Sequence, residues 1–387
     1  MRANLLVDLL SRGLGVLRLL LTPLILLPEE YGSLGLLSAL LIYASFGDLG
    51  LLRQFEISSA MRPETLRSEL RALSWPLLRR VFLSAAALGA VVGLQLASPL
   101  LGLAAFVYVL TFNADTLVQI ILRHQGLTRP LALTIFLQAF VITALLAPVA
   151  TWGRVEGVIW LQALAPLISL LIGYKWIGFS SSPAPSQTTS IQNWGGELAW
   201  WLLAGQALIM IWITADRLVL SRFLSPHELG LWNLGAMAGS VPLGVGNTWG
   251  TLKLPTWKRH PERFSLRQPL VFLVALWAAG SIGLILVTTT LLHKYRDGLS
   301  WNVLWLAACS GLALVFICDS YVRARIQTSR EAKRWFFEKT AALLTGCAGA
   351  ALLVPLELDP RWWVIGGISA ASSIVLLLSW LKRKALP

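Results

Sequence analysis

The sequence predicts an all-α integral membrane protein with twelve transmembrane helices, arranged as two six-helix bundles related by a pseudo-two-fold axis along the membrane normal. Three observations carry that expectation: apolar residues fall into span-length blocks, basic residues gather on one side, and the two halves share a repeat.

The first observation is compositional. Of 387 residues, 56% are hydrophobic and only 13% are charged, about half the charged share ordinary for a soluble domain. The apolar residues fall into blocks near the ~20 residues a helix needs to cross ~30 Å of hydrocarbon. A soluble fold would have to bury every block, and too little polar sequence remains to cover them. The blocks run over 4–27, 32–52, 81–97, 100–122, 131–151, 156–178, 197–221, 229–251, 269–292, 301–322, 336–356 and 362–381. The first carries Asp8, Arg12 and Arg18 and lacks a small-residue cleavage site, so it reads as an uncleaved span and not a secretory signal.

Basic residues supply the second observation. With both termini placed in the cytoplasm, 24 of the 32 lysines and arginines fall on the cytoplasmic side, 6 on the opposite side and 2 inside the first span. This is the asymmetry of the positive-inside rule. The net charge of +13 is accounted for in this way, and no basic domain stands apart to engage nucleic acid. Trp75, Trp152, Trp176, Trp257, Trp362 and Trp363 lie near predicted span ends, as an interfacial aromatic belt requires. From Pro63 to Arg80, leucines 66, 70, 73 and 77 alternate with arginines, which predicts an amphipathic helix lying on the anionic cytoplasmic leaflet.

The third observation is the repeat. Pro28-Glu29-Glu30-Tyr31-Gly32 precedes Pro226-His227-Glu228-Leu229-Gly230 by 198 residues, and Arg62-Pro63-Glu64 precedes His260-Pro261-Glu262 by the same offset. Phe112-x-x-Asp115-Thr116-x-Val118 then faces Phe316-x-x-Asp319-Ser320-x-Val322. Six spans per half would insert both repeats the same way up, as in transporters built from parallel repeats. The expected organisation is a bundle over 1–179, a Ser/Pro/Thr/Gln-rich cytoplasmic linker over 180–196 and a second bundle over 197–387.

Metal, disulfide and catalytic chemistry find no support. Cys309, Cys318 and Cys347 lie inside apolar blocks without C-x-x-C spacing, and the four histidines form no H-E-x-x-H pattern, so the cysteines read as buried packing residues. The outer loops are short and carry no general base with a partner. A non-enzyme without a cofactor is expected, with Na⁺ or H⁺ as the candidate coupling ion.

Ionisable residues inside spans are costly, about 2.5–3.5 kcal/mol each on insertion scales, and mark candidate sites. Asp8 and Arg12 are four apart and share a helical face. Arg18 has Leu14 and Thr22 at the pairing positions, so it lacks a local partner. Asp216 and Arg217 are adjacent, about 100° apart on a helix, and are not expected to satisfy each other readily. Arg217 and Arg222 either face substrate or snorkel to the outer interface. Thr111, Asp115, Gln119 and Arg123 form a polar stripe on one helical face, and Asp319 and Arg323 repeat its spacing. These are either ion pairs and helix–helix glue or a polar wall with a coupling site. Asp48 is a gate candidate or a helix-end cap, and Arg53 lies where a cytoplasmic mouth would open.

Between Ser11 and Gly50 the chain carries S-R-x-L-G-x-x-R, L-P-E-E-Y-G and F-G-D-L-G, and Ala215 to Gly230 reads A-D-R-L-V-L-S-R-F-L-S-P-H-E-L-G. These stretches resemble the opening helices and the seventh helix of polysaccharide exporters in the MOP superfamily, the Wzx-type O-antigen flippases above all. The first motif is also similar to the lipid II flippase branch, whose two extra helices have no counterpart here. The resemblance implies that Arg12 and Arg18 face the substrate cavity, and Arg53, Arg217 and Arg222 join them as candidate substrate-binding residues. Asp8, Asp48, Asp115, Asp216, Asp319 and Arg323 are the candidate gate or coupling residues.

The implied function is translocation of a lipid-diphosphate-linked oligosaccharide across a bacterial inner membrane, with both termini cytoplasmic. Arginine suits a diphosphate because its planar fork binds two oxygens and stays charged. The partners are then a polyprenyl-diphosphate-linked glycan, membrane lipids and polysaccharide assembly proteins. A cation or drug exporter of the same superfamily would favour acidic cavity residues over Arg12 and Arg18. A polytopic glycosyltransferase or polymerase would need a sizeable chemistry-bearing loop.

Overall fold

In the computed structural model the described residues are 14, 15, 17, 18, 20–52, 55, 66–125, 127–176, 197–259, 264–323 and 329–384. Among them every regular element is helical. Helix α1 is described over 14–25 apart from residues 16 and 19. It is followed by α2 (Pro28–Leu41), a 3₁₀ turn (Ile42–Phe46), α3 (Leu66–Gln95), α4 (Pro99–His124), α5 (Thr128–Leu164) and α6 (Leu167–Trp176). Then come α7 (Glu197–Leu220), α8 (Pro226–Arg259), α9 (Arg267–Thr290), α10 (Leu299–Arg323), α11 (Ser329–Leu353) and α12 (Pro360–Lys384). Eight segments of the described chain are long and apolar enough to cross a membrane. Arg2, Asp8, Arg12, Arg53, Arg62 and the 180–196 linker lie outside the described residues.

Element ends follow local chemistry. Predicted spans five and six share α5, which reverses at Arg154, where the backbone is left-handed with φ 48°. Pro166, which has no amide hydrogen to donate, separates α5 from α6 and breaks the sixth span. Asp48, just past the 3₁₀ turn, caps the turn that follows: its Oδ2 accepts the Leu52 amide at 2.6 Å.

The chain divides into two compact units, one of Met1–Leu26 with Leu37–Leu203, the other of Leu27–Leu36 with Ala204–Pro387. In the first, α3 packs along α4 through Leu73, Leu77, Val81, Ala85 and Val92. This corrects one expectation. The leucines of 66–80 do not form a separate surface helix facing lipid, because α3 runs unbroken from Leu66 to Gln95 and carries Leu73 and Leu77 into the packed core. The stripe continues at the same spacing through the membrane span, so burial against α4 takes the apolar face that lipid would otherwise have received.

In the second unit α8 lies close along α10. A side chain at Gly239 would meet Cys309 Sγ at 2.5 Å, and one at Gly246 the Ala313 carbonyl at 2.6 Å. Small residues at one helical face let two backbones approach and gain contact where no hydrophobic force acts between helices in lipid. Trp257 is another departure. It packs inside this unit against Phe264 and Tyr321, whereas Trp75 and Trp152 are exposed as belt residues should be. Cys347 is exposed, unlike the buried Cys309 and Cys318.

Candidate functional site

Four charged groups expected inside spans can be followed in detail. In the first unit, Arg18 emerges from α1 above Gly15, whose Cβ position lies 3.9 Å from Arg18 Nη2. Its Nε is buried and has no hydrogen-bond partner among the described residues. The helix beneath it is held locally: Thr22 Oγ1 donates to the Arg18 carbonyl at 2.7 Å, and Thr143 of α5 donates to that of Leu14 at 3.5 Å. The backbone is therefore fixed while the guanidinium keeps donor capacity.

Asp115, in the same unit, is buried in α4. Its Oδ2 accepts the Gln119 amide at 3.0 Å, and one turn earlier Thr111 donates to the Ala163 carbonyl of α5 at 2.7 Å. Thr111 thus ties the stripe to α5, and both Thr111 and Asp115 are buried. The side chains of Arg123 and Arg323 fall outside the described residues.

The second unit holds two carboxylates built alike. Asp216 of α7 accepts the Trp232 indole N–H at 3.1 Å, and Asp319 of α10 accepts that of Trp335 at 2.8 Å. In each case the tryptophan stands 16 residues later, on the next helix. The cations differ. Arg217 folds back so that its Nε meets Asp216 Oδ1 at 3.4 Å, with Nη2 on the Ile213 carbonyl at 3.4 Å. Adjacent positions point apart at Cβ, so the pair was not expected to satisfy each other readily, but the long arginine stem folds back and brings the two to 3.4 Å. Arg222 lies on the exposed turn that follows α7.

Asp319 takes its charge partner from α11, where Lys339 Nζ lies 2.6 Å from Oδ1. Lys339 is one of the 24 basic residues that the charge asymmetry assigns to the cytoplasmic side, yet its side chain is only 5% exposed and that of Asp319 only 2%. Sequence reasoning missed this residue because its partner lies across a helix–helix contact. One signal was present: Trp335 and Lys339 are four apart in a helix of otherwise apolar face.

At the ends of α2 and α8 the repeat becomes a contact. Glu30 accepts the Leu27 amide at 2.9 Å and Glu228 accepts the Ser225 amide at 3.0 Å, the same acidic cap 198 residues apart. A side chain on Gly32 would strike the Pro226 carbonyl, and one on Gly230 the Pro28 carbonyl. Equivalent residues thus exchange partners, as a local two-fold axis between two helices produces. Glu29 and His227, themselves equivalent, meet at 2.7 Å on the surface. Asn233 of α8 also donates to the Tyr31 carbonyl at 2.8 Å.

Hydrogen bonding at the start of α2, then His227, holds the Glu29 carboxyl below its usual range. A depressed carboxyl contributes stability above its unfolded value, and that contribution is lost as pH falls through the lower folded value. Glu29→Gln is therefore expected to flatten the acid limb of a stability profile of the purified protein, below about pH 4. An acid limb unchanged from wild type would remove Glu29 from this contact.

Comparisons with known proteins fit this architecture. A family model described as "Polysaccharide biosynthesis protein" matches residues 2–257. A solved multidrug resistance MATE family transporter of the MOP superfamily, in its inward-facing conformation, shares the fold at a TM-score of 0.65 and 12% identity, covering 99% of this chain and 95% of that one. MATE in complex with MaL6 gives 0.47 at 13% identity, covering 98% and 89%, and MATE in complex with MaD5 gives 0.44 at 14%, covering 99% and 92%. No curated protein matches the sequence. The matched model spans residues 2–257, more than half of the chain, so the chain, whose fold is that of the MATE transporter above, belongs to the polysaccharide biosynthesis protein family.

Proposed function

We propose that the protein is a flippase that carries a lipid-diphosphate-linked oligosaccharide from the cytoplasmic to the outer leaflet of a bacterial inner membrane by alternating access. The observation that carries this reading is Arg18. A guanidinium at membrane depth normally finds a carboxylate or a carbonyl, yet its buried Nε is unpartnered among the described residues. Such a group offers two-point binding to phosphate oxygens, in a medium where that attraction is weakly screened. Membership of a polysaccharide biosynthesis family supports a glycan cargo. The charge asymmetry supports cytoplasmic termini and a cytoplasmic 180–196 linker.

A cation exporter of the same superfamily is the second reading, favoured by the fold shared with a multidrug transporter. Reconstitution separates the two. Proteoliposomes are expected to move a fluorescent polyprenyl-diphosphate-linked oligosaccharide between leaflets, read as loss of protection from an external glycosidase. They should leave a lipophilic cation where it is. Cation movement without glycan movement would overturn the proposal in favour of the exporter.

A further inference from the structure

Three helix starts meet at one end of the second unit. Glu228 lies in the first turn of α8, Trp301 in that of α10 and Trp362 in that of α12. One buried arginine ties them together. Arg361 Nη1 donates to Asp359 Oδ2 at 2.8 Å, its Nη2 reaches Glu228 Oε1 at 3.4 Å, and its guanidinium lies over the Trp301 ring at 5.3 Å. Trp362 meets Trp301 edge to face, with ring centroids 5.4 Å apart. Its neighbour Trp363 packs against Phe223 at 5.2 Å, which fixes α12 to the turn after α7. Trp362 itself stays 40% exposed, and the side chains of Glu228 and Asp359 are partly exposed beside it.

By position Trp362 suits an interfacial belt among lipid headgroups. Two carboxylates at its side argue against that, because they repel headgroup phosphates. A cationic ligand is disfavoured as well. Arg361 already occupies the Trp301 face on which a cation would sit, and its charge offsets the carboxylates. What the surface suits is an uncharged polyhydroxyl ring. The C–H face of a pyranose lies flat on an exposed indole, while ionised carboxylates accept its hydroxyl hydrogens in short, strong bonds. Arg361 holds both acceptors in place beforehand, so binding has little left to order. We propose that Trp362, with Glu228 and Asp359, binds an uncharged sugar ring of the translocated glycan. The charge asymmetry supports placing this end opposite the cytoplasm, where the glycan is delivered. The choice of ligand rests on the flippase reading.

The test uses the full chain in nanodiscs and needs no transport. The probe is the repeat oligosaccharide of the source strain's own surface polysaccharide, freed of lipid and phosphate by mild acid. Saturation-transfer NMR reads which sugar protons touch the protein. Wild type is expected to saturate ring C–H protons, and Trp362→Leu to weaken binding about tenfold, the scale of one lost aromatic contact. Leucine keeps an apolar side chain but not the flat face, so Trp362→Phe should recover part of the signal. Trp152→Leu removes an exposed tryptophan of the first unit and should change nothing. A signal that survives Trp362→Leu, or that falls equally in Trp152→Leu, would overturn the proposal, as would no signal from wild type. Saturation of tetraphenylphosphonium in place of the sugar would overturn it too and assign the surface to cations. Sugar binding without leaflet transfer removes the flippase reading and leaves the site, whereas transfer without sugar binding removes the site alone.

Discussion

Lys339→Met is expected to destabilise the protein by about 3–5 kcal/mol, the range for removing one partner of a buried ion pair. The ammonium and carboxylate are both almost wholly buried and 2.6 Å apart. Methionine fills similar volume, so packing loss is small and the penalty falls on Asp319, left charged without its ammonium. The Trp335 N–H remains, but a neutral donor offsets only part of that cost. Asp319→Asn combined with Lys339→Met removes both charges and is expected to recover most of the loss, because a neutral pair of similar shape carries little desolvation cost. Thermal unfolding of wild type, Lys339→Met, Asp319→Asn and the double variant in one detergent gives the coupling directly. A double variant as unstable as the sum of the singles would show that the two residues act separately, and a neutral Lys339→Met would show that the pair does not hold α10 to α11.

The helices were legible because the bilayer imposes a length and an apolar run on each, which local sequence displays. The reversal at Arg154 falls in the gap between predicted spans five and six, whereas the motifs at Pro28 and Pro226 read only as a repeat and their acidic caps appear in the structure. What the sequence concealed is tertiary. The stripe of Leu73 and Leu77 has the same period whether it faces lipid or α4, so periodicity alone could not choose between them. Trp257 satisfies the rule for a belt residue by position, yet its neighbours Phe264 and Tyr321 enclose it. Asp319 was matched to Arg323 by spacing along one helix, whereas its ammonium arrives from the next helix over. Residue type flagged the charged positions correctly as costly. Which charge meets which depends on how helices pack, and no local pattern records that.

Arg18→Ala is expected to abolish glycan-lipid transport while the protein still reaches the membrane in normal amount. Losing one charge-assisted, two-point contact to a diphosphate removes about 1.5–3 kcal/mol or more per hydrogen bond in a weakly screened site. Two such contacts correspond to a rate or affinity loss of roughly a hundredfold or more. Arg18→Lys is expected to restore only part of it, since an ammonium keeps the charge and loses the planar fork. Arg18→Glu should be worse than alanine, because a second anion would repel the phosphates where screening is weak. The backbone under Arg18 is pinned by Thr22 and Thr143 through its own carbonyls, so these changes should leave α1 in place. The measurement is complementation of glycan export in a flippase-deleted strain, with membrane abundance checked by immunoblot. A merely structural arginine would lose abundance and activity together, and lysine and alanine would then rank by stability alone. Full export by Arg18→Glu at normal abundance would remove Arg18 from the binding site. The search for the diphosphate contact would then move to α7, where Arg217 is already engaged by Asp216 and would have to release it to hold a phosphate.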